Sequence, residues 1–350
     1  MNPLCTRMPI AAIIALSACQ TPNPTPPQPA ASSTAAPAPR KEAIDALKTF
    51  IQEHPDDQEH RPDALLRLAL LHLEEAQEEP SDSQSQPSHT QQAIEVLNTL
   101  IDNHPQWPKL DDALHLRAFV LIIDGQEPRA QQDLQRIIAD HPQSQHVREA
   151  WVRIGEYLFD TQDLPGAARA YQHALVAQGD RYTPQILYKL GWTHYRQDQY
   201  PQAIGRFKEV LSLPDSPDAQ DLKEEAIGYI AVSLIELDWD VDGAPDAAQC
   251  PPALPESWAA RCHPAQTLTT CRVQDFFSPG EPHLTDILLD AVDFSAQSAQ
   301  FPQTVALSAM ALECLRDPTM PNKLGTILAQ HHHLDPSGEL TTIYQRTQAD

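Results

Sequence analysis

Four cysteines in the C-terminal part of the sequence are its residues with the clearest potential for covalent chemistry. Cys250, Cys262, Cys271 and Cys314 are separated by 12, 9 and 43 positions, so no pair has the Cys-x-x-Cys spacing of zinc ribbons or thioredoxin-like sites. In an exported protein an even number of cysteines predicts disulfides, here two in one of three connectivities. A metal site that includes Cys262 and His263 is the alternative.

A short acidic segment has part of the spacing of a calcium-binding loop. Asp238, Asp240 and Asp242 place carboxylates at alternate positions, and Gly243 stands at the sixth position, where such loops turn. The twelfth position is Gln249 instead of the bidentate Glu that an EF-hand requires. The sequence leaves open a weak calcium site and a solvated acidic turn, and we assign it no metal.

Catalytic motifs do not accompany these residues. The sequence contains no Gly-x-Ser-x-Gly and no His-Glu-x-x-His, and its 11 glycines are too dispersed for a phosphate-binding loop. Three consecutive side chains on a helix cannot converge on one ion, so we interpret His331–His333 as a solvated segment. We predict a protein without catalytic residues, cofactor or small-molecule substrate. An enzyme with its active site in residues 238–350 is the alternative, supported only by the unusual composition there.

The charge of the chain excludes two classes of partner. The sequence has 24 Lys and Arg against 48 Asp and Glu, a formal net charge of -24. Nucleic-acid binding needs clustered basic residues that contact phosphates. Docking on anionic lipid needs a basic face. Neither is present in the sequence, so we predict no nucleic-acid partner and no basic membrane-binding face.

The N-terminus has the order of features found in exported lipoproteins. Arg7 precedes the apolar run Met8–Leu16, which is too short to span a bilayer as a helix. A Leu-Ser-Ala-Cys sequence that resembles a bacterial lipobox ends at Cys19. We expect residues 1–18 to be a signal peptide and Cys19 to carry lipid; ordinary secretory cleavage is the alternative. Gln20 lacks the acidic retention signal of the inner membrane, so we expect an outer-membrane anchor that faces the periplasm.

Small and large residues recur along the chain with a fixed period, which predicts stacked helical hairpins. The three series are Ala130, Ala167 and Ala203; Leu134, Tyr171 and Phe207; and Gly155, Gly191 and Gly228, all with spacings of 36 or 37 residues. The glycines would let the first helix of each hairpin approach its neighbour, and the large residues Tyr171 and Phe207 would fill the space between layers. The pattern predicts helices at 40–54, 61–79, 90–103, 110–123, 127–140, 146–160, 164–177, 182–197, 200–212 and 219–237, and further helices at 283–300, 301–315, 323–333 and 338–345.

The unit that begins at Trp151 resembles the tetratricopeptide repeat. It matches the signature of that family at Trp151, Ile154, Gly155, Leu158, Ala167, Tyr171 and Ala174. The unit that begins at Leu187 matches well, whereas Arg117 and Ala118 replace the Leu-Gly pair of another unit. The resemblance implies an all-α solenoid of helical hairpins.

The composition divides the chain into five segments. After the signal peptide, residues 19–39 are a Pro- and Ala-rich linker that we expect to be a disordered tether, because seven prolines and no charged residue follow Cys19 there. Residues 40–237 form the repeat domain. Residues 238–282 are predicted to be an irregular, disulfide-stapled insert, and residues 283–350 a helical hairpin that caps the solenoid.

The resemblance also implies a partner-binding groove on the first helices of the central repeats. The groove positions of the family fall on Phe159, Tyr188, Trp192, Tyr195, Arg196 and Tyr229, with Val152, Glu156 and Glu225 beside them. Aromatic residues and Arg are enriched at binding hot spots. The alternative is that these aromatic residues pack between the helical layers.

The function that follows is a non-enzymatic scaffold for protein–protein interactions, anchored by lipid in the bacterial cell envelope. The sequence is similar to envelope tetratricopeptide proteins of myxobacteria and relatives, some of them associated with gliding motility. The resemblance therefore implies a subunit of a motility or trafficking complex, with other envelope proteins or peptides as partners. A lipoprotein component of outer-membrane protein assembly is the nearest alternative.

Overall fold

The computed structural model describes residues 37–78, 88–177, 182–237, 255–259, 268–315 and 317–348. Within these ranges every regular element is a helix. The α-helices are α1 (Pro37–Glu53), α2 (Arg61–Glu78), α3 (His89–Asn103), α4 (Leu110–Ile123), α5 (Glu127–Asp140), α6 (Val147–Asp160), α7 (Leu164–Val176), α8 (Thr183–Tyr195), α9 (Tyr200–Leu211), α10 (Pro217–Glu236), α11 (Glu256–Ala259), α12 (Leu268–Phe276), α13 (Leu284–Gln297), α14 (Phe301–Cys314), α15 (Met320–His331) and α16 (Glu339–Thr347).

The helices pack as successive antiparallel hairpins. The pairs are α2 with α3, α4 with α5, α6 with α7, and α8 with α9, and the second helix of each pair contacts the first helix of the next. After α10 the pattern continues with α13 and α14 and then with α15 and α16. Buried residues from α8 to α16 form one apolar core, so the C-terminal helices extend the stack. The predicted all-helical solenoid is confirmed.

The turn inside four of the hairpins has the same backbone conformation. Gly125, Gln162, Asp198 and Ala299 each have a positive φ, between 57° and 72°. The amide of each donates a hydrogen bond to the carbonyl three residues earlier, and Pro follows in the first turn of the next helix. The left-handed residue ends one helix and Pro begins the next, because its fixed φ suits a first turn. The shared turn marks α13 and α14 as a hairpin of the same kind as the repeats.

Two glycines admit large rings from the neighbouring helix. A Cβ at Gly155 would lie 2.7 Å from Tyr171 Cε1, and a Cβ at Gly191 would lie 2.8 Å from Phe207 Cε1. The predicted close approach is therefore present at both positions. At Gly228 the prediction is wrong, because the nearest atom is Asp290 Oδ2 at 4.0 Å. There α10 packs on α13, and a short carboxylate faces the glycine in place of a ring.

The degenerate unit at Arg117 replaces an apolar contact with a buried ion pair. Arg117 donates from Nε and Nη2 to the two carboxylate oxygens of Asp133, at 2.8 and 2.7 Å, and from Nη1 to Asn98 at 2.9 Å. The guanidinium thus connects α3, α4 and α5. A bidentate pair of this kind compensates the cost of burying both charges.

The structure corrects the predicted end of the linker and the prediction that residues 238–282 are irregular throughout. Helix α1 begins at Pro37, inside the predicted linker, because Pro is compatible with a first helical turn and Arg40 forms ion pairs with Glu78 and its neighbours on α2. The predicted irregular insert contains the helices α11 and α12. Trp258 on α11 is fully buried, and its Nε1 donates to the carbonyl of Phe277 at 2.8 Å. This contact anchors the insert in the core.

The cysteines that the structure describes are in the core. Cys271 on α12 and Cys314 at the end of α14 are both buried. Cys250 and Cys262 lie outside the described residues, so the pairing of all four stays a prediction. Cys19, the segments 1–36 and 238–254, and with them Asp238, Asp240 and Asp242, also lie outside the described residues.

The histidine triplet is less solvated than predicted. Helix α15 ends at His331, and His332–Leu334 form a turn of 3-10 helix. The ring of His332 stacks on Tyr344 with centroids 4.2 Å apart, whereas His333 is exposed. Across the described ranges, no helix combines the length and the apolar character needed to span a membrane.

Candidate protein-binding surface

The structure divides the six predicted groove residues into two groups. Tyr195 and Tyr229 are buried, at 9% and 4% exposed, and belong to the core. Their assignment to a binding surface is wrong. Phe159 on α6 and Tyr188 and Trp192 on α8 are half-buried, and Arg196 is exposed. Phe159, Trp192 and Arg196 contact one another, and Tyr188 is linked to Trp192 through the ring of Tyr229.

The rotation of α8 about its axis determines which of its aromatic residues face α10 and are buried. Tyr229 on α10 contacts the rings of Phe207, Tyr195, Trp192 and Tyr188, with centroids between 5.5 and 6.2 Å apart. The hydroxyl of Tyr188 extends to the surface and donates a hydrogen bond to the exposed Glu225. Partial burial raises the pKa of Tyr188, and the bond to Glu225 raises it further. The neutral phenol therefore bridges α8 and α10.

We call Phe159, Tyr188 and Trp192 the aromatic shelf. The rings of Phe159 and Trp192 are 5.3 Å apart. The Arg196 guanidinium lies above both, 5.1 Å from the Phe159 centroid and 5.5 Å from the Trp192 centroid. Its Nη2 donates to Gln162 Oε1 at 2.6 Å. A cation over two aromatic faces is attracted by their quadrupoles, so the exposed guanidinium is held in place.

Two acidic side chains of α6 pair with basic side chains in a network that we call the charge ladder. Glu149 lies 3.3 Å from His115 Nε2 and 3.5 Å from Arg153 Nη2, and Glu156 lies 3.0 Å from Arg153 Nη1 and 2.9 Å from Lys189 Nζ. Burial opposes ionisation of Glu156, but Lys189 and Arg153 outweigh it and hold the pKa of that carboxyl below its ordinary value. The ladder connects α4, α6 and α8.

Arg196 differs from these cations. Within the described ranges no carboxylate forms an ion pair with it, and its Nη2 donates to the uncharged amide of Gln162. A ligand can therefore bind this guanidinium without first displacing an internal carboxylate.

At the first turn of α4, carboxylates and an imidazole form an arrangement that suits a metal ion. Asp111, Asp112 and His146 each offer one ligand atom, and these three atoms lie within 4.8 Å of one another. His146 Nε2 is 2.7 Å from Asp112 Oδ1, and the His146 ring stacks on His115 at 4.1 Å. Imidazole and carboxylate are common ligands of divalent metals.

Sequence reasoning missed the charge ladder and the histidine cluster. Asp112 and Glu149 occupy equivalent repeat positions, 37 residues apart, which is the signal that could have placed them on one face. His146 precedes α6 at the repeat position that Lys109 occupies before α4, and spacing alone does not bring it to Asp112 of the neighbouring repeat; the structure does.

Comparisons with known proteins agree with the repeat pattern. One tetratricopeptide-repeat family model matches residues 125–182, and a second matches residues 63–106 and 185–216. No curated protein sequence matches the chain.

Solved structures with related helical repeats show low overall similarity. One is the C-terminal part of a TPR repeat-containing protein from Cytophaga hutchinsonii, at 16% identity, a TM-score of 0.45, and coverage of 82% of this chain and 95% of that one. Another is a tetratricopeptide repeat protein from Parabacteroides merdae, at 11% identity, a TM-score of 0.42, and coverage of 83% and 93%.

The assignment of the repeats therefore relies on the family models, together with the hairpins and the glycine–ring contacts of this structure. Residues 63–106, 125–182 and 185–216 of this chain are tetratricopeptide repeats.

Proposed function

We propose that this protein is a non-enzymatic scaffold that binds a segment of a partner protein on the aromatic shelf. The observation that carries the proposal is the exposed Arg196 above the half-buried rings of Phe159 and Trp192. Tetratricopeptide repeats commonly mediate protein–protein interactions, and the shelf lies on first helices, the side on which the family binds its partners.

The residue types support this use of the surface. Trp, Tyr and Arg provide most of the binding free energy at protein interfaces, where they lose their remaining solvent exposure. A partner that covers Trp192 would bury additional apolar area, at about 25 cal/mol for each Å². Its backbone carbonyls or a carboxylate would accept hydrogen bonds from Arg196.

Site-specific photo-crosslinking in intact cells tests the proposal. A photoreactive phenylalanine at position 160 should capture a partner, because this position is exposed, follows Phe159 on α6 and leaves Arg196 in place. The matched control is position 209 on α9, which is also exposed but belongs to a second helix. Equal capture at both positions, or capture at neither, would contradict a specific shelf interaction.

We further propose that the scaffold is anchored by lipid on Cys19 to the periplasmic face of the outer membrane. The support is the order of Arg7, the short apolar run and the lipobox-like sequence before Cys19. Cys19→Ser should abolish labelling by a fatty acid and release the protein from the membrane fraction. Labelling of the variant at the wild-type level would contradict the anchor.

The identity of the partner would show which complex the scaffold belongs to. We propose an envelope complex of the motility or trafficking type, on the resemblance of the sequence to envelope tetratricopeptide proteins. A component of outer-membrane protein assembly is the alternative, because it would combine the same anchor with the same repeats. Mass spectrometry of the partner captured at position 160 separates the two: a β-barrel assembly factor supports the alternative and contradicts the motility assignment.

A further inference from the structure

The first turn of α4 and the residue before α6 bring metal-binding side chains together at a boundary between repeats. Asp111 and Asp112 lie in the first turn of α4, and His146 immediately precedes α6. All three are half-buried. The helix dipole accounts for acidic residues at a helix N-terminus, but it gives no reason for a histidine from a neighbouring repeat to join them.

We propose that Asp111, Asp112 and His146 bind a divalent transition-metal ion of the zinc class. The proposal does not depend on the function of the aromatic shelf.

The distances require only small adjustments. Bonds of about 2.0–2.2 Å place two donors on a tetrahedral ion about 3.4 Å apart. The His146–Asp112 contact would open from 2.7 Å by less than about 1 Å. The widest donor pair, now within 4.8 Å, would close by at most about 1.4 Å, which rotation of one carboxylate supplies.

The surroundings fix the imidazole before a metal binds. The ring of His115 stacks on His146 with an interplanar angle of 11° and centroids 4.1 Å apart. His115 is in turn held by Glu149, 3.3 Å from its Nε2. Supporting contacts that orient a ligating histidine raise metal affinity, often by 10–100-fold.

The donor set selects among metals. One imidazole nitrogen with two carboxylates suits zinc and similar first-row ions. Calcium prefers six to eight oxygen ligands, and magnesium keeps most of its waters, so neither gains from the imidazole. Three protein ligands leave room for water or for a partner's side chain on the ion.

Metal titration of the purified protein tests the site. Zinc in excess also associates with single accessible histidines, so the parent for all measurements carries His331→Ala and His333→Ala and retains His332, which packs on Tyr344. Excess magnesium suppresses binding to scattered carboxylates. We expect one zinc ion in calorimetry, and visible absorption bands of a low-symmetry site when cobalt replaces zinc.

Three variants of this parent test whether zinc binds to the proposed ligands and not to scattered surface side chains. His146→Asn and Asp112→Asn should each weaken zinc binding by about 100-fold, because each removes a ligand, and His115→Gln by about 10-fold. The matched control His54→Asn changes an exposed histidine outside the cluster and should leave the affinity unchanged.

Circular dichroism without metal confirms that each variant is folded. Unchanged zinc affinity in folded His146→Asn, or no zinc binding by the parent, would overturn the proposal.

Discussion

The backbone of Gly191 lies against the ring of Phe207, so closely that a Cβ on residue 191 would approach Cε1 to 2.8 Å. The same relationship connects Gly155 to Tyr171 one repeat earlier. In both hairpins the ring occupies space that any other residue at the glycine position would need. The signature glycine and the signature aromatic residue are therefore one packing unit.

Gly191→Ala should lower the free energy of unfolding by about 1–3 kcal/mol, because the added methyl overpacks against Phe207. Gly205→Ala is the matched control on α9: no atom lies within 4 Å of its added Cβ. There the substitution should stabilise by about 0.5–1 kcal/mol, since alanine is the better helix former. Denaturant unfolding of both variants measures the difference, and equal effects would contradict the packing argument.

Tyr195→Ala and Arg196→Ala change adjacent residues and should have different effects on stability and on partner binding, because Tyr195 is in the core and Arg196 is on the surface. Tyr195 is buried, so its truncation should lower the free energy of unfolding by about 3 kcal/mol or more. Arg196→Ala should change stability by less than about 0.5 kcal/mol and yet weaken partner binding by about 2 kcal/mol. Thermal melts and binding to the partner captured at position 160 test both expectations. If Arg196→Ala unfolds as easily as Tyr195→Ala, the shelf is part of the core.

Asp290 should make stability depend on pH in mildly acidic solution. Burial, with smaller contributions from Asp286 and Asp293, raises the pKa of Asp290 from 3.8 to about 6. Within the described ranges no hydrogen bond or ion pair stabilises its ionised form. The folded state thus holds the proton more tightly, and the stability contributed by Asp290 is full below pH 3.8 and is lost as pH rises through about 6.

Asp290→Asn should therefore stabilise the protein at pH 7.5 by about 1 kcal/mol, a value reduced for partial solvent screening, and should give little gain near pH 3.5. Asp102→Asn on α3 is the exposed control and should change stability by less than about 0.5 kcal/mol at either pH. Urea unfolding across this range measures the effect. A gain that is the same at both pH values would show that ionisation is not its cause.

Ala299→Gly should stabilise the hairpin formed by α13 and α14. Ala299 is exposed and has a φ of 57°, a conformation that disfavours residues with a Cβ. Glycine removes that cost but loses more chain entropy on folding, so a net gain of about 1 kcal/mol is expected. Ala296→Gly, in the helical last turns of α13, should destabilise instead. Differential scanning calorimetry compares the two.

The sequence alone determined the repeating helical hairpins. Their period follows from local patterns: small residues at Ala167 and Ala203, glycines at Gly155 and Gly191, and Pro in the first turn after the turn of four hairpins. Each of these acts within one hairpin, so its spacing along the chain is enough to identify it. The turn pattern ending in Pro302 even marks the hairpin of α13 and α14, far from the best-matched repeats.

Tertiary structure alone decided which aromatic residues are exposed. Tyr188, Trp192 and Tyr195 share one side of α8, and a small rotation of that helix determines which of them its neighbours cover. Tyr229 on α10 meets Tyr195 in the core, whereas Trp192 is only half-buried and lies beneath the exposed Arg196. Contacts between repeats cannot be read from spacing inside one repeat, because they depend on how neighbouring helices are rotated against each other. For the same reason only the fold brings together His146 and Asp112, which are 34 residues apart in sequence.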